Sequence, residues 1–262
     1  MKNTFKNWFA ALLLAAPMSM AVAAGGHANY EKVDIDLGDQ VSLQRGAQIF
    51  TNYCLSCHSA TGMRFNRLQD IGLTEDEIKK NLMFTTDKVG DVMQTAMTPT
   101  EGKKWFGAAP PDLTLIARSR GADYLYAYLR GFYKDPTRHS GWNNTVFDKV
   151  GMPHPLWEQQ GVKAVELDKD GQPVWEKDEH GNLVPKLYWE STGLHSRRLP
   201  NGKVIEKEYD DYVRDLVNYM VYMGEPAQMQ RKQIGYIVLI FLLAVMLPLA
   251  YFLKKEYWKD VH

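Results

Sequence analysis

Twenty consecutive residues without a charge run from Ile234 to Leu253. At about 1.5 Å per residue, a helix of that length covers the roughly 30 Å hydrocarbon core of a bilayer. Arg231 and Lys232 precede it; Lys254, Lys255 and Lys259 follow, with Tyr257 and Trp258 placed for the interface. The pattern predicts one transmembrane helix over 234–253, bent at Pro248, followed by a tail over 254–262. A second apolar stretch, Trp8 to Ala16, stands behind Lys2 and Lys6 and ahead of Ala21-Val22-Ala23. A positive start, a short apolar run broken at Pro17 and small residues at its end make 1–23 a secretory signal rather than a span. That signal, more than the similar lysine counts on either side of the span, predicts that 24–230 is exported and 254–262 stays in the cytoplasm.

Between these ends the periodicity is mostly helical. Leu43–Tyr53 reads as a helix with Gly46 and Phe50 four apart on one face. A small residue beside an aromatic one lets another helix cross closely, and the partner is Tyr209–Met223. There Val213, Leu216, Val217, Tyr219 and Met220 form an apolar stripe. A further helix is expected within Ile78–Met97, with Met83, Met93 and Met97 in core packing. Residues 158–211 hold 12 acidic and 8 basic residues and several Gly, Pro and Asn turns, which reads as a polar insertion. Asn201-Gly202 between Leu199 and Val204 predicts a β-hairpin, and Gln172–Lys186 a second. The expected fold is mainly α, with small β-hairpin insertions on an exported domain over 24–230.

Charge and cysteine content narrow the chemistry. Lys plus Arg and Asp plus Glu both number 31 in the 262 residues, so the basic excess of a nucleic-acid binder is missing. With 1–23 and everything from Arg231 onward set aside, 29 acidic residues face 24 basic ones, which suits a cationic soluble partner. A mean hydropathy of -0.37 excludes a polytopic membrane protein. Cys54 and Cys57 are the only cysteines, too few for a disulfide scaffold or a four-cysteine zinc or iron–sulfur site.

Those two stand in Cys54-Leu55-Ser56-Cys57-His58, the attachment pattern of a c-type haem. Two thiols separated by two residues reach one porphyrin edge and add across its vinyl groups, and the adjacent histidine lies under the iron. A thioredoxin-like dithiol would want a βαβ setting, and nothing strand-like precedes this one. Among candidates for the second axial position, Met63 is too close to His58, and Met220, Met223 and Met229 belong to the last helix region. Met152 sits in Gly151-Met152-Pro153-His154-Pro155, where glycine and two prolines impose an extended loop. It is favoured, with His154 and His139 as rivals; bis-histidine ligation would lower the potential relative to Met/His. Pro110 and Pro111 in Ala108-Ala109-Pro110-Pro111-Asp112-Leu113 offer a stiff apolar wall for a flat macrocycle. Arg118, Arg120 and Tyr124 follow, and guanidinium groups are well shaped for propionates, unless they are simply solvated.

The order CLSCH, APPDL with Arg-x-Arg and Tyr, GMPH and a single C-terminal anchor resembles cytochrome c1, the haem subunit of the ubiquinol–cytochrome c oxidoreductase (bc1) complex. The likeness covers Ala28 to His262, and the signal makes it similar to bacterial members. It implies a cytochrome c-like domain with one covalent haem c, thioethers at Cys54 and Cys57 and iron ligation by His58 and Met152. Pro110 and Pro111 would then line the pocket, with Arg120 and Tyr124 at a propionate and Arg118 a further candidate. It also implies an inner-membrane subunit with its haem domain in the periplasm, in a dimeric complex with a cytochrome b subunit. The electron would come from a Rieske iron–sulfur protein and leave to soluble cytochrome c, the chain itself being a carrier and not a catalyst. Some relatives brace the methionine ligand with a disulfide; this chain has no cysteines to spare, and packing of the Trp142–Trp157 loop would have to serve instead. A tethered shuttle to a terminal oxidase and a haem-based ligand sensor are the alternative functions.

Overall fold

A computed structural model describes residues 30–179 and 181–259; the expected signal over 1–23 and the end of the tail lie outside the described residues. Helix α1 (Gln40–Ile49) begins where the Asp39 side chain accepts the Ser42 amide. It passes directly into a π-turn at Phe50–Cys54, so the predicted helix leads straight to the cysteine motif. Strand β1 (Ala60–Arg64), a 3-10 turn (Phe65–Ile71) and α2 (Glu75–Asn81) follow, then β2 (Val92–Met93), α3 (Pro99–Phe106), α4 (Ile116–Arg120) and α5 (Ala122–Arg130). Strands β3 (Phe132–Lys134) and β4 (Trp142–Asn144) lead to α6 (Trp157–Gln160) and β5 (Gly161–Val165). Next come β6 (Trp175–Lys177), β7 (Leu183–Pro185), β8 (Leu187–Thr192), β9 (Arg197–Arg198) and β10 (Val204–Ile205). The chain closes with α7 (Lys207–Gly224), α8 (Gln228–Phe241), a π-turn (Leu242–Met246) and α9 (Leu247–Tyr257).

The core is organised by α1 crossing α7. Leu43, Ala47 and Phe50 meet Val213, Leu216, Val217 and Tyr219 there, all buried. The crossing needs glycine: a Cβ on Gly46 would stand 2.6 Å from Tyr219 Cβ and nearer still to the Asp215 carbonyl oxygen. A polar clamp locks the crossing. Ser42 Oγ donates to Asp215 Oδ1 at 2.7 Å and Arg45 Nε to Asp215 Oδ2 at 2.5 Å.

The expected helix over Ile78–Met97 is replaced by the short α2, an irregular stretch and β2. Thr74 and Glu77 form a capping box that starts α2 early. Beyond it, Thr86 donates to Asp91 and accepts from the Lys88 amide, so side chains compete with the helical ladder. Met93 is nevertheless a core residue, paired on β2 with Ala60. Both expected hairpins form, β6 with β7 and β9 with β10. The 158–211 stretch is more than a solvated insertion, because β5 pairs in parallel with β3 and antiparallel with β8 in a sheet ordered β4-β3-β5-β8.

From Gln228 to Tyr257 the chain is one 30-residue helical run with mean hydropathy 2.6 in its most apolar window and no buried residue. Pro248 has no amide to offer the Ala244 carbonyl, and the π-turn at Leu242–Met246 falls at that interruption.

Candidate functional site

Both the Cys57 and His58 amides bond the Cys54 carbonyl, at 3.1 and 2.8 Å, which folds CLSCH into a single turn at the end of the π-turn. Neighbouring loops sew that turn in place. Thr95 donates its hydroxyl to the Ser56 carbonyl at 2.7 Å and its amide to Ser59 Oγ at 3.1 Å. The Leu113 amide bonds the Ser59 carbonyl at 2.8 Å. Asp112 accepts from the Thr61 amide and hydroxyl and from the Thr114 amide, each at 2.8 Å. This places the Pro111 carbonyl 2.8 Å from His58 Nδ1. With Nδ1–H donating there, Nε2 carries the free lone pair that a metal takes. Burial lowers the His58 pKa against the opposing pull of the Pro111 bond, which favours the neutral, ligating form.

Both cysteines are free thiols. Burial, with Cys57 close by, pushes the Cys54 thiol up to about 12. A redox dithiol works by lowering its leading thiol, so this site does not have the electrostatics of a thioredoxin-like pair.

Cys54, Cys57 and His58 share a predominantly apolar cavity of about 330 Å³ with Pro110, Pro111, Arg120, Tyr124 and Met152. Met152 is half-buried, and the Tyr128 hydroxyl donates toward its sulfur at 3.5 Å. Gly151 beside it allows the loop to close on α3: a Cβ there would lie 2.6 Å from the Phe106 carbonyl oxygen. Two buried asparagines build the loop. Asn144 Oδ1 accepts the Val146 and Phe147 amides while its Nδ2 donates to the Tyr128 carbonyl at 2.8 Å. Asn143 Oδ1 accepts the Lys149 amide at 2.8 Å, and its Nδ2 donates to Asp135 and Asp148. Lys149 takes a positive φ of 59° as the chain turns toward Met152.

The rival histidines are engaged elsewhere or outside. His154 stacks on Phe132 at 4.8 Å, meets Trp142 edge-on, and holds Gln160 Oε1 through Nε2 at 2.9 Å. Burial pushes its pKa down to about 3, so it is a neutral core residue. His139 is exposed and does not line the cavity. Of the expected loop packing, Trp142 takes part, whereas Trp157 is half exposed.

Arg120 lines the cavity with its guanidinium 5.6 Å from the Tyr124 ring centre. Arg118 does not: its exposed guanidinium faces Glu225 at 3.3 Å. Two residues on a helix differ by about 200° in direction, so Arg118 and Arg120 on α4 point to different sides. Tyr53, Tyr128, Leu216 and Met220 also line the cavity; the sequence pattern marked Leu216 and Met220 only as part of the α7 stripe, and gave Tyr53 and Tyr128 no role at the site. Tyr128 had a signal in the spacing, since Arg120, Tyr124 and Tyr128 recur every four residues.

The Cytochrome C1 family matches residues 34–205 and 203–261. The chain belongs to that family. It is 44% identical over 254 residues to "Cytochrome c1" of Allochromatium vinosum, covering 97% of this chain and 98% of that relative. It is 47% identical over 250 residues to the protein named "Ammonia monooxygenase gamma subunit" of Nitrosomonas europaea, with 95% and 96% covered. "Cytochrome c1" of Rhodospirillum rubrum is 27% identical over 282 residues, with 95% and 96% covered. A chain of the solved "Hyperthermophilic respiratory Complex III" superposes with a TM-score of 0.43 at 13% identity, covering 98% of this chain and 97% of its own.

Cytochrome c1 proteins carry one covalently bound haem c and transfer electrons in the bc1 complex, and this chain is such a membrane-anchored subunit. The donors around the cavity fit that group: two free thiols, a neutral imidazole with Nε2 available, and a thioether.

Proposed function

We propose that this chain accepts one electron from a Rieske iron–sulfur protein and delivers it to soluble cytochrome c. The haem would be bonded to Cys54 and Cys57 and ligated by His58 and Met152. The supporting observation is that these four side chains share one apolar cavity, with His58 oriented by the Pro111 carbonyl. The haem supplies an iron that changes by one electron, and His/Met ligation holds it at a potential suited to a quinol-fed donor. The chain's own residues bind and orient it. Pro110 and Pro111 wall the cavity, Arg120 beside Tyr124 neutralises a propionate, and the apolar lining keeps water from the ligands. In this reading 24–230 lies in the periplasm of the inner membrane, 234–253 spans the bilayer, and the subunit sits beside cytochrome b in a dimeric complex.

Purification in mild detergent through a C-terminal tag tests the assembly. Cytochrome b and a Rieske cluster should accompany the chain, and quinol should reduce its c haem. The Nitrosomonas europaea relative's name favours a second reading, a subunit of an oxygenase assembly. Recovery with an oxygenase or a terminal oxidase, without b-type haem, would replace the proposal. Met152→Leu should convert a low-spin, high-potential haem into one that binds carbon monoxide quickly when reduced; an unchanged spectrum would reject Met152 as ligand.

A further inference from the structure

The contact between Tyr128 and Met152 is built in from several sides. The hydroxyl is 3.5 Å from the Met152 sulfur, and among the described residues it has no other acceptor. Its ring is held by stacking on Tyr124, with centroids 6.0 Å apart, and by an edge contact with Phe132 at 5.2 Å. Its carbonyl takes the Asn144 side chain at 2.8 Å, and that same asparagine organises the amides of Val146 and Phe147. One residue of α5 therefore grips the methionine loop by its backbone and the thioether by its side chain.

We propose that Tyr128 is a positioning residue for the haem ligand: it donates a hydrogen bond to Met152 Sδ, holding the thioether for the iron and raising the iron's reduction potential. The inference rests on Met152 being the axial ligand. A thioether sulfur has two lone pairs, so one can face a metal while the other accepts a proton donor. The donor draws electron density from sulfur, and the ferric ion, which depends more on that density, loses more than the ferrous one. Tyr128 thus does part of the work that a disulfide near the methionine would do by bracing, and adds an electronic effect that bracing lacks.

The test is Tyr128→Phe in the full chain in native membranes. Removing only the hydroxyl should shift the equilibrium toward ferric haem between about two- and tenfold, or about 18–59 mV at 59 mV per decade. The weak red-region absorption that sulfur ligation gives ferric haem should shift or fade with it. An unchanged potential and an unchanged band would overturn the proposal. Absence of that band from the unaltered protein would instead remove Met152 as ligand, a separate failure. 3-Fluorotyrosine placed at position 128 keeps the ring's packing and makes the hydroxyl a stronger donor. It should move the potential upward, which also decides the matter if the Phe variant does not assemble. No movement with the fluorinated residue counts against the proposal.

Discussion

Asp112 accepts three hydrogen bonds, and Pro111 beside it carries the carbonyl that faces His58. Desolvation alone would raise this carboxyl, but the donors from Thr114 and Thr61 outweigh it and hold the group below the ordinary aspartate value. The unfolded chain therefore takes up the proton at a higher pH than the folded one. The stabilisation is fully present above the unfolded value and is lost as pH falls through the folded value. Melting curves should show acid destabilisation below about pH 4 that is weaker in Asp112→Asn. Because the side chain is exposed, the variant should lose on the order of 1 kcal/mol or less at neutral pH. An identical acid limb in both proteins would show that the carboxylate does not secure the loop. Gly151 offers a sharper change. In Gly151→Ala the new methyl meets the backbone carbonyl of Phe106, which no rotamer relieves, so the loop must move. Roughly 1–3 kcal/mol of stability should go, and ligand displacement by added imidazole should become easier. Unaltered imidazole affinity would mean that the loop tolerates the shift without disturbing Met152.

The crossing of α1 and α7 is legible in the sequence, because Gly46 and Phe50 recur at helical spacing and the α7 stripe has the same period. Its polar clamp is not, since Asp215, Ser42 and Arg45 meet across about 170 residues of sequence. Gly46→Val should separate the helices at a cost of about 3 kcal/mol or more, as the obstruction is backbone on α7. Thermal unfolding of the haem-loaded domain would register it, and a melting temperature within a degree of the unaltered protein would contradict the close approach. The methionine loop shows the same division. Gly151-Met152-Pro153 announces a stiff segment, but what steadies it is a pair of buried asparagines that tie the loop to Tyr128 on α5 and to Asp135 just after β3. Asn144→Ala would strand the Val146 and Phe147 amides, at about 1–3 kcal/mol for the unpaired groups, while the Tyr128 carbonyl keeps the Gly131 amide at 3.2 Å. Hydrogen exchange at those two amides should accelerate; protection equal to that of the parent would disprove the role. The cysteine motif reads easily because haem attachment demands a fixed local spacing. Arg118 and Arg120 are separable only through helical phase, and the Tyr128 contact joins residues 24 apart that no local pattern links.

At the scale of the whole chain, the core and the membrane segment do not depend on one another for burial. Every residue of the core cluster lies between Leu43 and Met223, with partly buried neighbours beginning at Val33. The run from Gln228 to Tyr257 buries none of its residues against the domain. Where they adjoin, Arg231 reaches back to Glu225 at 2.5 Å, an ion pair whose guanidinium is exposed, and solvent screening leaves such a pair little hold on either part. A chain ending at Pro226 should therefore leave the membrane as a soluble domain with the visible spectrum and midpoint potential of the full protein. Its haem should no longer be reduced by quinol in membranes, because proximity to the donor is what the helix supplies. Both readouts are needed. A soluble, spectrally intact domain that still takes electrons from quinol would show that docking without the helix suffices. A domain that loses haem on truncation would show that the apolar helix helps fold the site, against the separation of core and anchor seen here.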